Sequence, residues 1–134
     1  MISWFEKHKK MSWMITVIIA IMIFYVSSLT FAPSGTGTGS SIKATLYHIL
    51  AFFFFALFLF ISSVNGKLDS RVIFLTFLIA IVYSMSDEVH QLFVPGRGAT
   101  IRDVFLDSLG IFYAFMIYSI SLQYREIKNG KNSN

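Results

Sequence analysis

Two stretches decide the fold: Ser12 to Phe31, SWMITVIIAIMIFYVSSLTF, and Ala44 to Asn65, ATLYHILAFFFFALFLFISSVN. Neither contains an aspartate, glutamate, lysine or arginine, and each reaches the ~20 residues a helix needs to cross a hydrocarbon core of roughly 30 Å. The 134-residue chain is 55% hydrophobic and only 13% charged, too apolar for a water-soluble domain of this length. With no cysteine, it can form no disulfide framework, thiolate zinc site or cysteine nucleophile.

Working outward from these stretches, four apolar blocks are separated by short polar segments. The predicted fold is all-α, a polytopic membrane protein built as a four-transmembrane-helix bundle. The first helix runs about Ser12 to Phe31 and gives way at Pro33 to PSGTGTGSS, a flexible loop through Ser41. The second runs about Ile42 to Val64 and stops at the Asn65-Gly66 turn signal. The third runs from near Arg71 toward Val94, where Pro95-Gly96 forces a turn. The fourth opens with Thr100 as N-cap and Asp103 three residues on, and extends to about Gln123. The expected division is a cytoplasmic interfacial leader over 1–11, the membrane domain over 12–123 and a cytoplasmic polar tail over 124–134. A cleavable signal peptide is the rival for the first block, but its apolar region exceeds the ~15-residue core of such peptides and Pro33 follows the candidate cleavage site. Retention is expected.

Eight of the eleven cations lie in the leader, the second loop and the tail, and only Lys43, Arg97 and Arg102 lie on the opposite side. The positive-inside rule then places a multi-pass protein in the cell membrane with both termini cytoplasmic. A net charge of +4 beside hydrophobic spans points to membrane lipids as partners and not to nucleic acid.

Ionisable groups within apolar helices need protein or water around them, so each is a candidate for function. His48, Asp87, Glu88, His90 and Asp107 are the candidate catalytic residues. At ~1.5 Å of rise per residue, Asp87 lies about 22 Å along the third helix, and His48 and Asp107 lie roughly 9 Å in from the same face. At about 100° per residue, Tyr83, Ser84, Asp87, His90 and Gln91 share one arc of the third helix, with Glu88 at its margin. On the fourth helix, Asp103 and Asp107 give way to Gly110 and Ala114, small residues that permit close helix contact. Arg97 and Arg102, with Gln91 and Asp103, are the candidate ligand-binding residues, because guanidinium groups pair with carboxylate or phosphate in two places at once.

Three readings of this cluster stay open: a structural lock in which arginines neutralise the carboxylates, a site for an anionic head group, and a divalent-cation site. The spacing matches no closed metal-site pattern, so neither a metal nor another cofactor is expected, and the divalent cation is the minor alternative. No serine or threonine has a triad partner evident from sequence.

The segment Ser86-Asp87-Glu88-Val89-His90-Gln91-Leu92-Phe93-Val94-Pro95-Gly96-Arg97, followed by Asp103-Val104, Asp107 and Gly110, resembles the signature of the VanZ-like family. Phe24 to Ser28, Lys43 and His48 extend the resemblance over nearly the whole chain. It implies a small cell-envelope membrane protein, in a family whose namesake is associated with low-level resistance to the glycopeptide teicoplanin. The expected role is to bind, or to modify, an anionic lipid or lipid-linked head group in an outward-facing pocket. The rivals are a non-enzymatic structural or interaction protein whose ionic cluster only locks the loops, and an ion or proton carrier. Transport ranks last because the inner halves of the helices offer few polar groups.

Overall fold

The computed structural model describes residues 2–30, 38–67 and 69–131. These form a short α1 (Ile2–Lys7) and the longer α2 (Lys9–Ser27), α3 (Thr38–Val64), α4 (Ser70–Gln91) and α5 (Ile101–Lys131), with no strand among the described residues. Four of the helices are long and apolar enough to cross a membrane.

The helix ends depart from the sequence reading in ways the local chemistry explains. The leader is itself helical, and it breaks from α2 at His8, whose ring stacks on Trp4 and whose Nδ1 lies 2.8 Å from the Trp4 carbonyl. α2 ends at Ser27, short of Phe31. Of the expected loop, Pro33 to Gly37 lie outside the described residues, whereas the backbone of 38–41 is already helical and belongs to α3. The turn after α3 follows the sequence signal, with Asn65 and Gly66 both at positive φ. Asp69 then caps α4, accepting from the Arg71 and Val72 amides.

α4 stops at Gln91, short of Val94. The Phe93 and Val94 amides bond back three residues, to the His90 and Gln91 carbonyls, because the chain tightens before Pro95. α5 opens as expected: the Thr100 hydroxyl donates to Asp103 Oδ2 at 2.7 Å and accepts from the Asp103 amide. It then continues past Gln123 to Lys131, so the expected tail begins inside a helix of 31 residues.

The burial pattern is that of a bundle in lipid. Large apolar side chains such as Phe74, Leu78, Val82, Met85 and Ile120 are exposed, while Ser12, Thr16, Ser62, Thr76 and Ser84 are buried. Two of the threonine hydroxyls inside the bundle are satisfied within their own helix: Thr16 and Thr76 each donate to the carbonyl four residues back. The aromatic run on α3 divides the same way, with Phe52 and Phe55 buried and Phe54 facing out.

α3 lies at the centre and packs most extensively on α5. A Cβ placed on Gly110 would stand 2.3 Å from the Ile49 carbonyl oxygen and 2.9 Å from the Phe53 nitrogen, so only glycine permits this approach of two backbones. Ile111, Ala114 and Tyr118 continue the buried stripe down α5. This contact fixes the register that brings His48 of α3 opposite Asp107 of α5.

Candidate functional site

Near the end of the bundle where α4 turns into α5, three helices contribute polar groups to one buried cluster. His48 projects from the early turns of α3, Ser84, Asp87, Glu88 and Gln91 from the last turns of α4, and Asp107 from the second turn of α5. His48 Nδ1 lies 2.9 Å from Asp107 Oδ1, and the Ser84 hydroxyl donates to Asp107 Oδ2 at 2.9 Å. Asp107 is fully buried, and His48, Asp87, Glu88 and Gln91 are each less than a tenth exposed.

Around this pair, Gln91 Nε2 donates to Asp87 Oδ2 at 3.0 Å and, more weakly, to Glu88 Oε1 at 3.4 Å. The Thr100 amide donates to Glu88 Oε2 at 3.0 Å, tying the α4–α5 loop to the cluster. Glu88, at the margin of the predicted inward arc, is therefore a full member. His90, inside that arc, turns instead to α2: its Nε2 lies 2.9 Å from the Ser28 hydroxyl and its ring packs against Phe24.

The arginines take separate places. Arg102 Nη2 donates to the Thr45 hydroxyl at 3.0 Å, bridging α5 to the start of α3. Arg97 is half-buried in the turn, where its amide donates to the Val94 carbonyl. Asp103 is occupied as the capping partner of Thr100. Asp107 is paired by His48 of α3.

This arrangement limits the chemistry. Ser84 and His48 both contact Asp107 and the serine does not bond the imidazole, so the order of a nucleophilic triad, with the base between nucleophile and carboxylate, is absent from these contacts. The cluster is rich in acceptors. His48, Glu88 and Asp107 each offer a ligand atom within 4.8 Å of the other two.

Two apolar grooves flank the cluster. One, of about 420 Å³ between α4 and α5, is lined by Met85, Val89, Leu92, Ile101 and Val104, with Glu88 and Thr100 among its walls. The other, of about 290 Å³ between α2 and α3, reaches Tyr47.

A second buried ionic centre, at the other end of the bundle, had no signal in the sequence. Glu6 of α1 accepts from Arg125 Nη2 at 3.0 Å and from the Tyr118 hydroxyl at 2.8 Å, and that hydroxyl accepts from the Gly66 amide. A lone acidic residue among leader lysines carries no local pattern that predicts burial.

In comparison with known proteins, the sequence model of the family described as VanZ/LLP1 matches residues 4–122. No curated protein and no solved structure matches the chain.

Proposed function

From the premise that the chain belongs to the VanZ/LLP1 family and is a multi-pass membrane protein, we propose that its polar cluster binds the head group of an anionic or lipid-linked envelope lipid. The observation that carries this reading is the groove between α4 and α5, an apolar groove whose wall includes the buried carboxylate Glu88. An acyl chain suits the lining of Met85, Val89, Leu92 and Val104, and a polar head suits the end held by Thr100 and Glu88.

An acidic cluster does not by itself attract an anion. The reading therefore assigns Arg97 and Arg102 to the phosphate, and Asp87 and Glu88 to hydroxyl or amino groups of the same head group, which donate to carboxylates. The cation bias of the loops supports an outer-leaflet location for this end, with both termini cytoplasmic. Teicoplanin resistance, the property carried by the family resemblance, is read as a consequence of binding at the envelope.

The structural alternative draws on one observation: Asp107 is satisfied on both oxygens within the protein, by His48 and Ser84. Native mass spectrometry of the purified protein with anionic and zwitterionic lipids separates the two. Lipid binding predicts retention of anionic lipid, weakened about tenfold in Arg97→Lys, where a two-point contact becomes a point charge. Equal retention of both lipid classes by the parent rejects the head-group reading.

A further inference from the structure

Three carboxylates in the cluster share one pattern. Asp107 has Oδ2 held by the Ser84 hydroxyl and Oδ1 turned to His48. Glu88 has Oε2 held by the Thr100 amide, while Oε1 meets only the long 3.4 Å contact from Gln91. Asp87 has Oδ2 held by Gln91, and its buried Oδ1 has no hydrogen-bond partner among the described residues. In each case one oxygen is anchored by a protein donor and the other is weakly engaged, paired only to imidazole, or unsatisfied. Gln91, shared between Asp87 and Glu88, ties these two carboxylates together.

We propose that His48, Glu88 and Asp107, with Asp87 beside them, form a binding site for a divalent first-row transition cation of the manganese or zinc class. Three arguments carry this assignment. The first is charge: Asp87, Glu88 and Asp107 are buried together beside the His48 imidazole, and a buried carboxylate is costly unless it is paired, neutralised or bound to metal. The second is geometry. Ligand atoms on bonds of about 2.1 Å stand about 3.0 Å apart when adjacent in an octahedron and about 4.2 Å apart when opposite. The 2.9 Å from His48 Nδ1 to Asp107 Oδ1 already fits an adjacent pair, and the 4.8 Å limit on the triplet leaves only a small closing movement. The third is orientation, since donors such as Ser84 and the Thr100 amide fix the second oxygen of a carboxylate as the outer partners of metal ligands do.

One nitrogen with several oxygens suits manganese or zinc better than calcium, which takes oxygen alone, or copper(I), which prefers sulfur. The assignment requires no lipid, and its test is read on the metal alone, although it draws on Glu88 and Asp87, which the head-group reading also uses.

The test uses the full chain in detergent, stripped with chelator and titrated with Mn2+ under electron paramagnetic resonance, with Zn2+ as competitor. The expected result is one Mn2+ per chain, displaced by Zn2+, with a hyperfine coupling to nitrogen-14 that disappears in His48→Gln. Asp107→Asn and Glu88→Gln should each weaken binding at least about tenfold, and Ser84→Ala, which removes a positioning residue, should weaken it while keeping the nitrogen coupling. No binding by the parent up to about 1 mM, where even weak extracellular cation sites fill, overturns the proposal without reference to any variant. So does bound Mn2+ whose nitrogen coupling survives His48→Gln.

Discussion

Glu6 and Arg125 lie 119 residues apart in sequence, yet both guanidinium nitrogens Nη1 and Nη2 donate to the Glu6 carboxylate. The pair closes α1 onto the last turns of α5, and Tyr118 extends it to the α3–α4 turn through Gly66. The lysine-rich leader, read from sequence as an interfacial anchor, is thus also fastened to the bundle by its single acidic side chain.

Loss of that carboxylate should loosen both ends of the chain together. Breaking a buried ion pair costs ~3–5 kcal/mol, and the partial exposure of Arg125 puts Glu6→Gln near the lower bound. A lower thermal midpoint in detergent, with faster proteolysis near both termini, is the expected outcome. An unchanged midpoint would make the pair incidental.

At Gly110 the atoms that a new Cβ would strike are backbone atoms of α3, which cannot rotate aside. Gly110→Ala should therefore destabilise by about 3 kcal/mol, at the severe end of overpacking, by forcing α3 and α5 apart. Gly98→Ala supplies the control, because nothing lies within 4 Å of the added methyl. Thermal midpoints that fall equally for both substitutions would contradict the close-approach account.

His48 and Asp107 should behave as a coupled pair. Removing either alone strands a buried polar partner, whereas removing both strands neither, so a double-mutant cycle of His48→Ala and Asp107→Ala should give a coupling of about 2–3 kcal/mol. Additive losses of stability would mean that the 2.9 Å contact carries little energy.

Much of this was legible because membrane helices announce themselves by length and hydropathy, and because punctuation at Asn65-Gly66, Pro95-Gly96 and Thr100 is local chemistry. The level of His48, Asp87 and Asp107 also followed from helical rise alone. Rotation was harder. Helix angles relative to a neighbour depend on packing, so Glu88 was set at the margin of the arc and His90 inside it, while the contact of α4 with α2 decides the reverse for His90. The pairing of Asp107 with His48 is likewise a fact of α3 against α5, fixed by the approach at Gly110. Glu6 was illegible because its partners come from the far end of the chain.

The orientation inferred from the cation bias can be checked without disturbing the cluster, since the chain has no native cysteine. Gly98→Cys, in the α4–α5 loop where a side chain meets open space, should react with an impermeant thiol reagent in intact cells, and Lys128→Cys near the end of α5 should react only after lysis. The opposite pattern would turn the site toward the cytoplasm and remove the outer-leaflet reading.

The groove between α4 and α5 offers the sharpest test of lipid entry. Ala99 lines it from the loop, next to Thr100, and His48 and Asp107 are not among its lining, so Ala99→Phe puts a ring into the groove without substituting any named cluster residue. Each buried methylene of an acyl chain contributes about 0.8 kcal/mol, and a phenyl ring that excludes two of them should reduce lipid affinity roughly tenfold. Quantifying co-purified anionic lipid in parent and variant reads the effect directly. If the lipid yield is the same in both, the groove is only a surface between two helices, and a head group at Glu88 would have to arrive by another route.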